Sequence, residues 1–236
     1  AITSKCDRMI APCRRLAESM IRNGLPEEKV TLLPHGIPLP EKVPPFPPIV
    51  DGGVRFFYVG RICYVKGLHI LLEAFHRLDA PRAELHLIGG AATKGERRYE
   101  ARLRRRYARD PRITWHGKVR PEEVYKMTEK YHVSSSSAFL EAFGLNISEA
   151  LAMGKPVLAT RNGGAEMQME DGVTGWLVPS NDVEAMRRKM DEIVHTLHGF
   201  DTQLATRAVV PIDRHCRALW EIYEQTLIHH NTQTRP

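Results

Sequence analysis

The chain has 236 residues, 34 Lys and Arg against 28 Asp and Glu (formal charge +6), and 42% apolar residues. That mixture is globular and excludes disordered and fibrous classes, and its longest apolar runs, Phe56–Val59 and Ala150–Met153, fall far short of the roughly 18 residues of a membrane span. The four cysteines (Cys6, Cys13, Cys63, Cys216) form no CxxC pair, which argues against a zinc site or disulfide scaffold and for a reducing, cytoplasmic setting.

In chain order, short apolar runs predict strands at Met9–Ala11, Val30–Leu33, Arg55–Val59, Glu84–Ile88, Ile113–Trp115, Pro156–Ala159 and Gly175–Val178. Helical segments alternate with them: Pro12–Arg22, a stripe of Leu68, Leu71, Leu72, Phe75 and Leu78, then Gly95–Arg109, Pro121–Tyr131, Gly144–Met153, Asn181–Thr196 and a last one near Ile212–Ile228. This alternation predicts an α/β, Rossmann-like parallel sheet with helices on both faces, and functional residues in the strand-to-helix turns. Six prolines in the eleven positions Pro38–Pro48 forbid helix and central strand, so residues 38–53 read as a hinge. Residues 1–37 hold one β-α-β unit, too little to bury a core alone.

Two turns carry chemistry. Gly60-Arg61-Ile62-Cys63-Tyr64-Val65-Lys66-Gly67 places two cations and glycines at a strand's carboxyl end, which suits a phosphate. Equally, the glycines only shape the turn and both cations are solvated. In Phe139-Leu140-Glu141-Ala142-Phe143-Gly144-Leu145-Asn146-Ile147-Ser148-Glu149, Gly144 opens a helix whose N-terminus can receive an anion. Glu141 and Glu149 flank that point and could accept sugar hydroxyls, or are a loop charge and an exposed helix residue. The preceding stretch His132-Val133-Ser134-Ser135-Ser136-Ser137 weakens a buried strand, and its packing is expected to be soft or hydrated.

Taken in order, Gly60-Arg61 with Lys66-Gly67, the Glu141/Glu149 pair around Phe143-Gly144-Leu145, Ala150–Val157, Gly163-Gly164 with Glu166, and Asp171–Val178 closely resemble the donor-binding half of the retaining, glycogen-synthase-like (group 1) glycosyltransferases of GT-B fold. The resemblance implies that Arg61 and Lys66 clamp the diphosphate of a nucleotide-sugar, beside Gly60. Backbone N–H groups of Phe143, Gly144 and Leu145 would complete the cradle. Glu149 would bind ribose hydroxyls, Glu141 the transferred sugar, and backbone at Gly117–Val119 the base. Glu141, Arg61 and Lys66 are the implied catalytic set. No Asp-x-Asp pair is visible, so a metal-independent reaction without cofactor is expected.

The resemblance further implies that residues 1–37 end an acceptor domain, that 54–200 bind the donor, and that 201–236 cross back toward that first domain. The acceptor would be a glycan or lipid-linked molecule engaging the missing domain, and this chain alone is expected to bind donor without transferring sugar. Two rival readings remain: a non-catalytic sugar-nucleotide-binding module needing a partner chain, and another enzyme of the same fold, such as a sugar-nucleotide epimerase or a phosphorylase. Arg98, Arg102, Arg105 and Arg109 line one face of the Gly95–Arg109 helix. Interleaved Glu96 and Glu100 and missing aromatics favour a solvated face over nucleic acid, and peripheral contact with anionic lipid on the cytoplasmic side is the sharper alternative.

Overall fold

Strands β1 (Met9–Ala11) and β2 (Val30–Leu32) pair in parallel around helix α1 (Arg14–Arg22), forming the predicted N-terminal β-α-β unit. The computed structural model describes residues 6–233; residues 1–5 and 234–236, the outer ends of the first and last predicted segments, lie outside the described residues. Helix α1 starts two residues later than its apolar pattern predicts. Buried Cys13 is its N-cap, with Sγ accepting the Leu16 N–H at 3.4 Å.

Beyond the proline segment comes β3 (Arg55–Val59), whose Phe56, Phe57 and Tyr58 are all buried. Successive strand residues face opposite ways, so a strand apolar on both faces needs cover on both sides. It joins β4 (Glu84–Ile88), β5 (Ile113–Gly117), β6 (Val133–Ser136), β7 (Val157–Thr160) and β8 (Gly175–Val178) in a six-stranded sheet of order β5-β4-β3-β6-β7-β8. All neighbours run parallel, with Phe56 opposite both Leu85 and Val133. Helices α2 (Leu68–His76), α3 (Lys94–Arg106) and α7 (Val183–Thr196) cover the Phe56–Tyr58 face. Helices α5 (Leu145–Ala152), α6 (Ala165–Gln168) and α8 (Thr202–Arg207) contribute Ile147, Ala150, Leu151, Ala165 and Ala205 to the other face, where they meet Phe57 and Val157. Helix α4 (Pro121–Thr128) links β5 to β6, and α9 (Ile212–Gln233) closes the order. From β3 the chain winds outward through β4 and β5, then returns and winds the other way through β6, β7 and β8. Such a reversal leaves a crevice at the strands' carboxyl ends, here between β3 and β6.

Two expectations are corrected. The serine stretch is not a weak strand at the sheet's margin: Val133 and Ser134–Ser137 are all buried at the sheet's centre. Small side chains there admit close backbone approach. The Ser137 hydroxyl donates to the Lys66 carbonyl at 3.0 Å, and at Gly67 (φ +62°) a Cβ would lie 2.0 Å from the Ser137 carbonyl oxygen. The second correction concerns the basic helix, which ends at Arg106, so Arg109 is off its face. Buried Asp110, held by Arg112 at 2.8 Å and His76 at 2.9 Å, draws the chain into a turn at that point. Among the described residues no helix is long and apolar enough to cross a membrane.

The proline segment lacks regular structure yet is pinned to the sheet. Buried His132, just before β6, accepts the Arg55 N–H on Nδ1 at 2.8 Å, which leaves Nε2–H to donate to the Pro48 carbonyl at 3.3 Å. Its ring lies 5.6 Å from that of Phe46. At the other end of the segment, Ile37 exchanges backbone hydrogen bonds with Val210 and Ile212 at 3.1 and 2.9 Å, and the His215 Nδ1–H donates to the Pro34 carbonyl at 2.9 Å.

Burial, and then the Arg55 charge, push the His132 pKa down to about 4. The unfolded chain therefore takes up this proton near pH 6.5 and the folded chain only near pH 4, so stability falls as pH drops through that window. The expected loss is on the order of 3 kcal/mol. His132→Asn, whose carboxamide oxygen still accepts from Arg55, should flatten that part of the profile in urea denaturation from pH 7 to 4. A pH profile parallel to wild type would show that His132 is not the titrating group.

Candidate functional site

The crevice is built by two turns held over the end of β6. In the first, the buried Tyr58 hydroxyl donates to the Arg61 carbonyl at 2.8 Å, while Gly60 N–H and Ile62 N–H donate to Ile88 and Gly90 carbonyls at 3.0 and 3.2 Å. One 3₁₀ turn over Tyr64–Lys66 then aims the lysine into the crevice, and the left-handed Gly67 turns the chain into α2. Arg61 stays exposed, its Nε 3.6 Å from the Glu96 carboxylate that caps α3.

In the second turn, Phe139 N–H donates to the Val65 carbonyl at 2.9 Å and Glu141 N–H to the Asn162 carbonyl at 3.2 Å, which ties the segment to both neighbouring loops. Gly144 (φ +91°) then opens α5 without a side-chain cap. The first N–H groups of a helix lack intrahelical acceptors. Among the described residues nothing else accepts those of Leu145 and Asn146, so they remain available to an anion at the positive end of the helix. Buried Gln168 holds this turn from behind. Its Nε2 donates to the carbonyls of Phe143 and, at 3.1 Å, Gly164, and its Oε1 accepts the Ser148 hydroxyl. Asn162 Oδ1 in turn accepts the N–H groups of Gly164 and Ala165 at 3.1 and 3.0 Å.

Two adjoining clefts result. One, about 490 Å³, is lined by Gly60, Arg61, Lys66, Glu141, Gly144 and Leu145, with His35 at its edge. Lys66 Nζ and a Glu141 carboxylate oxygen form an ion pair across it. The other, about 260 Å³, is largely apolar, walled by Phe57, Val119 and Tyr125, and contains Glu149. Val59 and Asn146 belong to both. Glu149 has no ion-pair partner among the described residues, and burial raises its pKa. The arrangement therefore joins a cationic, N–H-rich anion cleft to an apolar slot that ends in one carboxylate.

Of the predicted residues, Gly60, Arg61, Lys66, Glu141, Phe143, Gly144 and Leu145 line the first cleft, and Val119 and Glu149 the second. Gly117 lines neither; it terminates β5 with φ +75°, and its carbonyl accepts the Gly89 N–H at 2.8 Å. Sequence reasoning missed His35, Tyr58, Tyr125, Asn146 and the supporting pair Asn162 and Gln168. Asn162 carried a signal, an Asx residue before Gly163-Gly164 at a helix start. His35 carried none, because only tertiary packing brings residue 35 against Phe143. On α3, Arg98, Arg102 and Arg105 are exposed, while Arg104 and Arg106 pair with Glu100 and Glu73, each at 2.8 Å.

A doubly wound parallel sheet with a crevice at its switch point defines the Rossmann-like class of α/β domain. The chain belongs to the group 1 glycosyl transferases, whose family pattern matches residues 41–203. Its sheet is the Rossmann-like domain of the GT-B fold. The chain is 30% identical over 141 residues to the O-antigen chain mannosyltransferase C of Escherichia coli, a match over 58% of this chain and 36% of that protein. It is 27% identical over 197 residues to the putative colanic acid biosynthesis glycosyltransferase WcaL of Salmonella typhimurium, over 78% of this chain and 47% of that one. It thus spans less than half of either relative. Among solved structures, Anabaena HepE in complex with UDP and glucose superposes with a TM-score of 0.80 at 20% identity, over 93% of this chain and 64% of that one.

Gln168→Leu removes the side-chain donor to the Phe143 carbonyl and the acceptor of the buried Ser148 hydroxyl. It should lower stability by about 2 kcal/mol in urea denaturation. A change under about 0.5 kcal/mol would show that the Phe143–Gly144 turn is held by its other bonds.

Proposed function

We propose that this chain binds a nucleoside-diphosphate sugar in the two clefts and serves the transfer of that sugar, with retention, to a glycan or lipid-linked acceptor. The observation that carries the reading is the continuity of the clefts. Lys66, Arg61 and the open N-terminus of α5 face one chamber, and past Val59 and Asn146 that chamber becomes an apolar slot ending at Glu149. A diphosphate suits the first chamber. A base between Phe57 and Val119, with ribose hydroxyls donating to Glu149, suits the second. HepE, whose fold this chain shares, is in complex with UDP and glucose, which supports a nucleotide and a sugar as the ligands.

In this reading the bond from the anomeric carbon to the diphosphate oxygen breaks as the sugar becomes oxocarbenium-like. Negative charge grows on the leaving diphosphate, where Lys66, Arg61 and the Leu145 and Asn146 N–H groups stabilise it. An acceptor hydroxyl then bonds the anomeric carbon from the face the diphosphate left, its proton passing to a leaving phosphate oxygen. Glu141, held against Lys66, accepts hydroxyls of the sugar at the junction of sugar and phosphate. Protein cations neutralise the diphosphate, with no metal or cofactor assigned to the step. Residues 1–37 form the end of an acceptor-side domain, 38–53 the hinge, 54–200 the donor domain and 201–236 the return segment. The basic face of α3 is read as solvated surface: Arg98, Arg102 and Arg105 are exposed, and the neighbouring Arg104 and Arg106 already hold carboxylates.

Calorimetric titration with UDP and GDP tests this. One of them should bind. Lys66→Ala and Glu149→Gln should each weaken it by about 10- to 100-fold, the scale of a charge-assisted hydrogen bond. Glu141→Gln should matter only once a sugar is attached to the nucleotide. If neither nucleotide bound, or if Glu141→Gln weakened the bare nucleotide as much as Glu149→Gln does, these roles would be wrong.

A further inference from the structure

A third cleft, about 320 Å³, lies between α1 and the loop before α5 and is lined by Arg15, Leu16, Arg22, Leu140 and Glu141. Glu141 and Ala142 line both this cleft and the anion cleft, so the two chambers adjoin there. Whatever occupies the third cleft therefore abuts the position assigned above to the donor sugar. A second groove continues from it along α1, lined by Arg14, Arg15 and Arg22 with Gly163 and Glu166.

Three arginines and two carboxylates line this second groove. Among the described residues, Arg14, Arg15 and Arg22 have no hydrogen-bond or ion-pair partner, although Arg61, Arg104, Arg106, Arg112 and Arg161 all do. Arg15 is seated rather than loose. Its stem crosses Gly163 (φ +97°), where a Cβ would lie 2.7 Å from the Arg15 Cδ. Of the carboxylates facing the groove, Glu166 already accepts the N–H groups of Asn162 and Gly163 at 3.1 and 2.7 Å. Glu18, on α1 itself, is the other. Leu16 and the exposed Leu140 supply an apolar wall beside the arginines.

We propose that this groove is the acceptor subsite and that it takes a phosphate-bearing acceptor, with Arg15 and Arg22 holding its phosphate or diphosphate and the acceptor's hydroxyl end turned toward Glu141. The assignment as an acceptor subsite rests on the donor reading given above. Unpartnered guanidinium groups fit a phosphate by paired N–H donors. The phosphate can belong to a water-soluble sugar phosphate or to a lipid-borne carrier, and the apolar wall distinguishes the two.

The test is calorimetry on this chain with glucose 1-phosphate and, separately, farnesyl diphosphate, each with the donor cleft saturated by whichever of UDP or GDP binds, and again without nucleotide. At least one probe should bind alongside the nucleotide. The R15Q/R22Q double variant should weaken that probe at least tenfold while changing nucleotide affinity less than twofold. Removing the same charge from α3, in R102Q/R105Q, should leave the probe affinity unchanged. Stronger binding of farnesyl diphosphate would identify a lipid-borne acceptor, and of glucose 1-phosphate a soluble one. Absence of binding by both probes, an unaffected R15Q/R22Q variant, or equal loss in R102Q/R105Q would each overturn the proposal. If neither nucleotide bound, the donor reading would fall on its own, while the probe titrations without nucleotide would still decide whether the groove holds phosphate.

Discussion

Everything at the crevice depends on how closely two turns approach the end of one strand. At Gly67 a Cβ would sit 2.0 Å from the Ser137 carbonyl, and at Gly164 one would sit 2.2 Å from the Phe143 carbonyl. Only hydrogen fits at either place. The lysine turn before α2 and the glycine turn before α5 are thereby drawn over β6 from opposite sides, and the space left between them is the anion cleft. The serines of β6 belong to the same constraint. A run of valines would restore ordinary strand packing but thicken the sheet where two helix starts must meet.

Burial then divides the site's charges into two kinds. Lys66 and Glu141 face one another in a partly exposed chamber and hold each other in place. Glu149 stands alone in an apolar slot, where desolvation raises its pKa and makes hydrogen-bond donors from a ligand the natural compensation. The turn between them has no side-chain cap of its own, which keeps its N–H groups free. Its Phe143 carbonyl is instead held by Gln168 from the protein's interior. Donors toward the ligand and acceptors toward the core are thus served by different residues, so the cleft is rigid without being self-satisfied.

The proline segment is tied at both ends. His132 anchors its far end to the centre of the sheet, and the start of α9 anchors Ile37 and Pro34. His35 belongs to the second anchor, its ring 5.2 Å from Phe143 and 5.9 Å from His215. The N-terminal unit therefore meets the donor side through the same glycine turn that forms the anion cleft. That contact brings α1 and its arginines to the back of Glu141.

The alternation of apolar runs and helical stripes was enough to fix the α/β class, most strand positions, the proline segment and the order of the motifs, because these depend on local periodicity and on residues near one another in the chain. Arg61 and Lys66 were legible for the same reason, lying in the turn after a strand that the pattern itself locates, whereas Glu141 and Glu149 were legible from the motif around Gly144 and the family resemblance. What the pattern could not supply was register in space. That β6 is central, that Gly117 faces away from the clefts, that Arg109 leaves its helix, and that Gln168, His35 and Arg15 stand behind or beside the site all follow from contacts across tens of residues. Packing decides those contacts, since a serine strand or a lone arginine has no intrinsic preference for where it lies until the elements around it close.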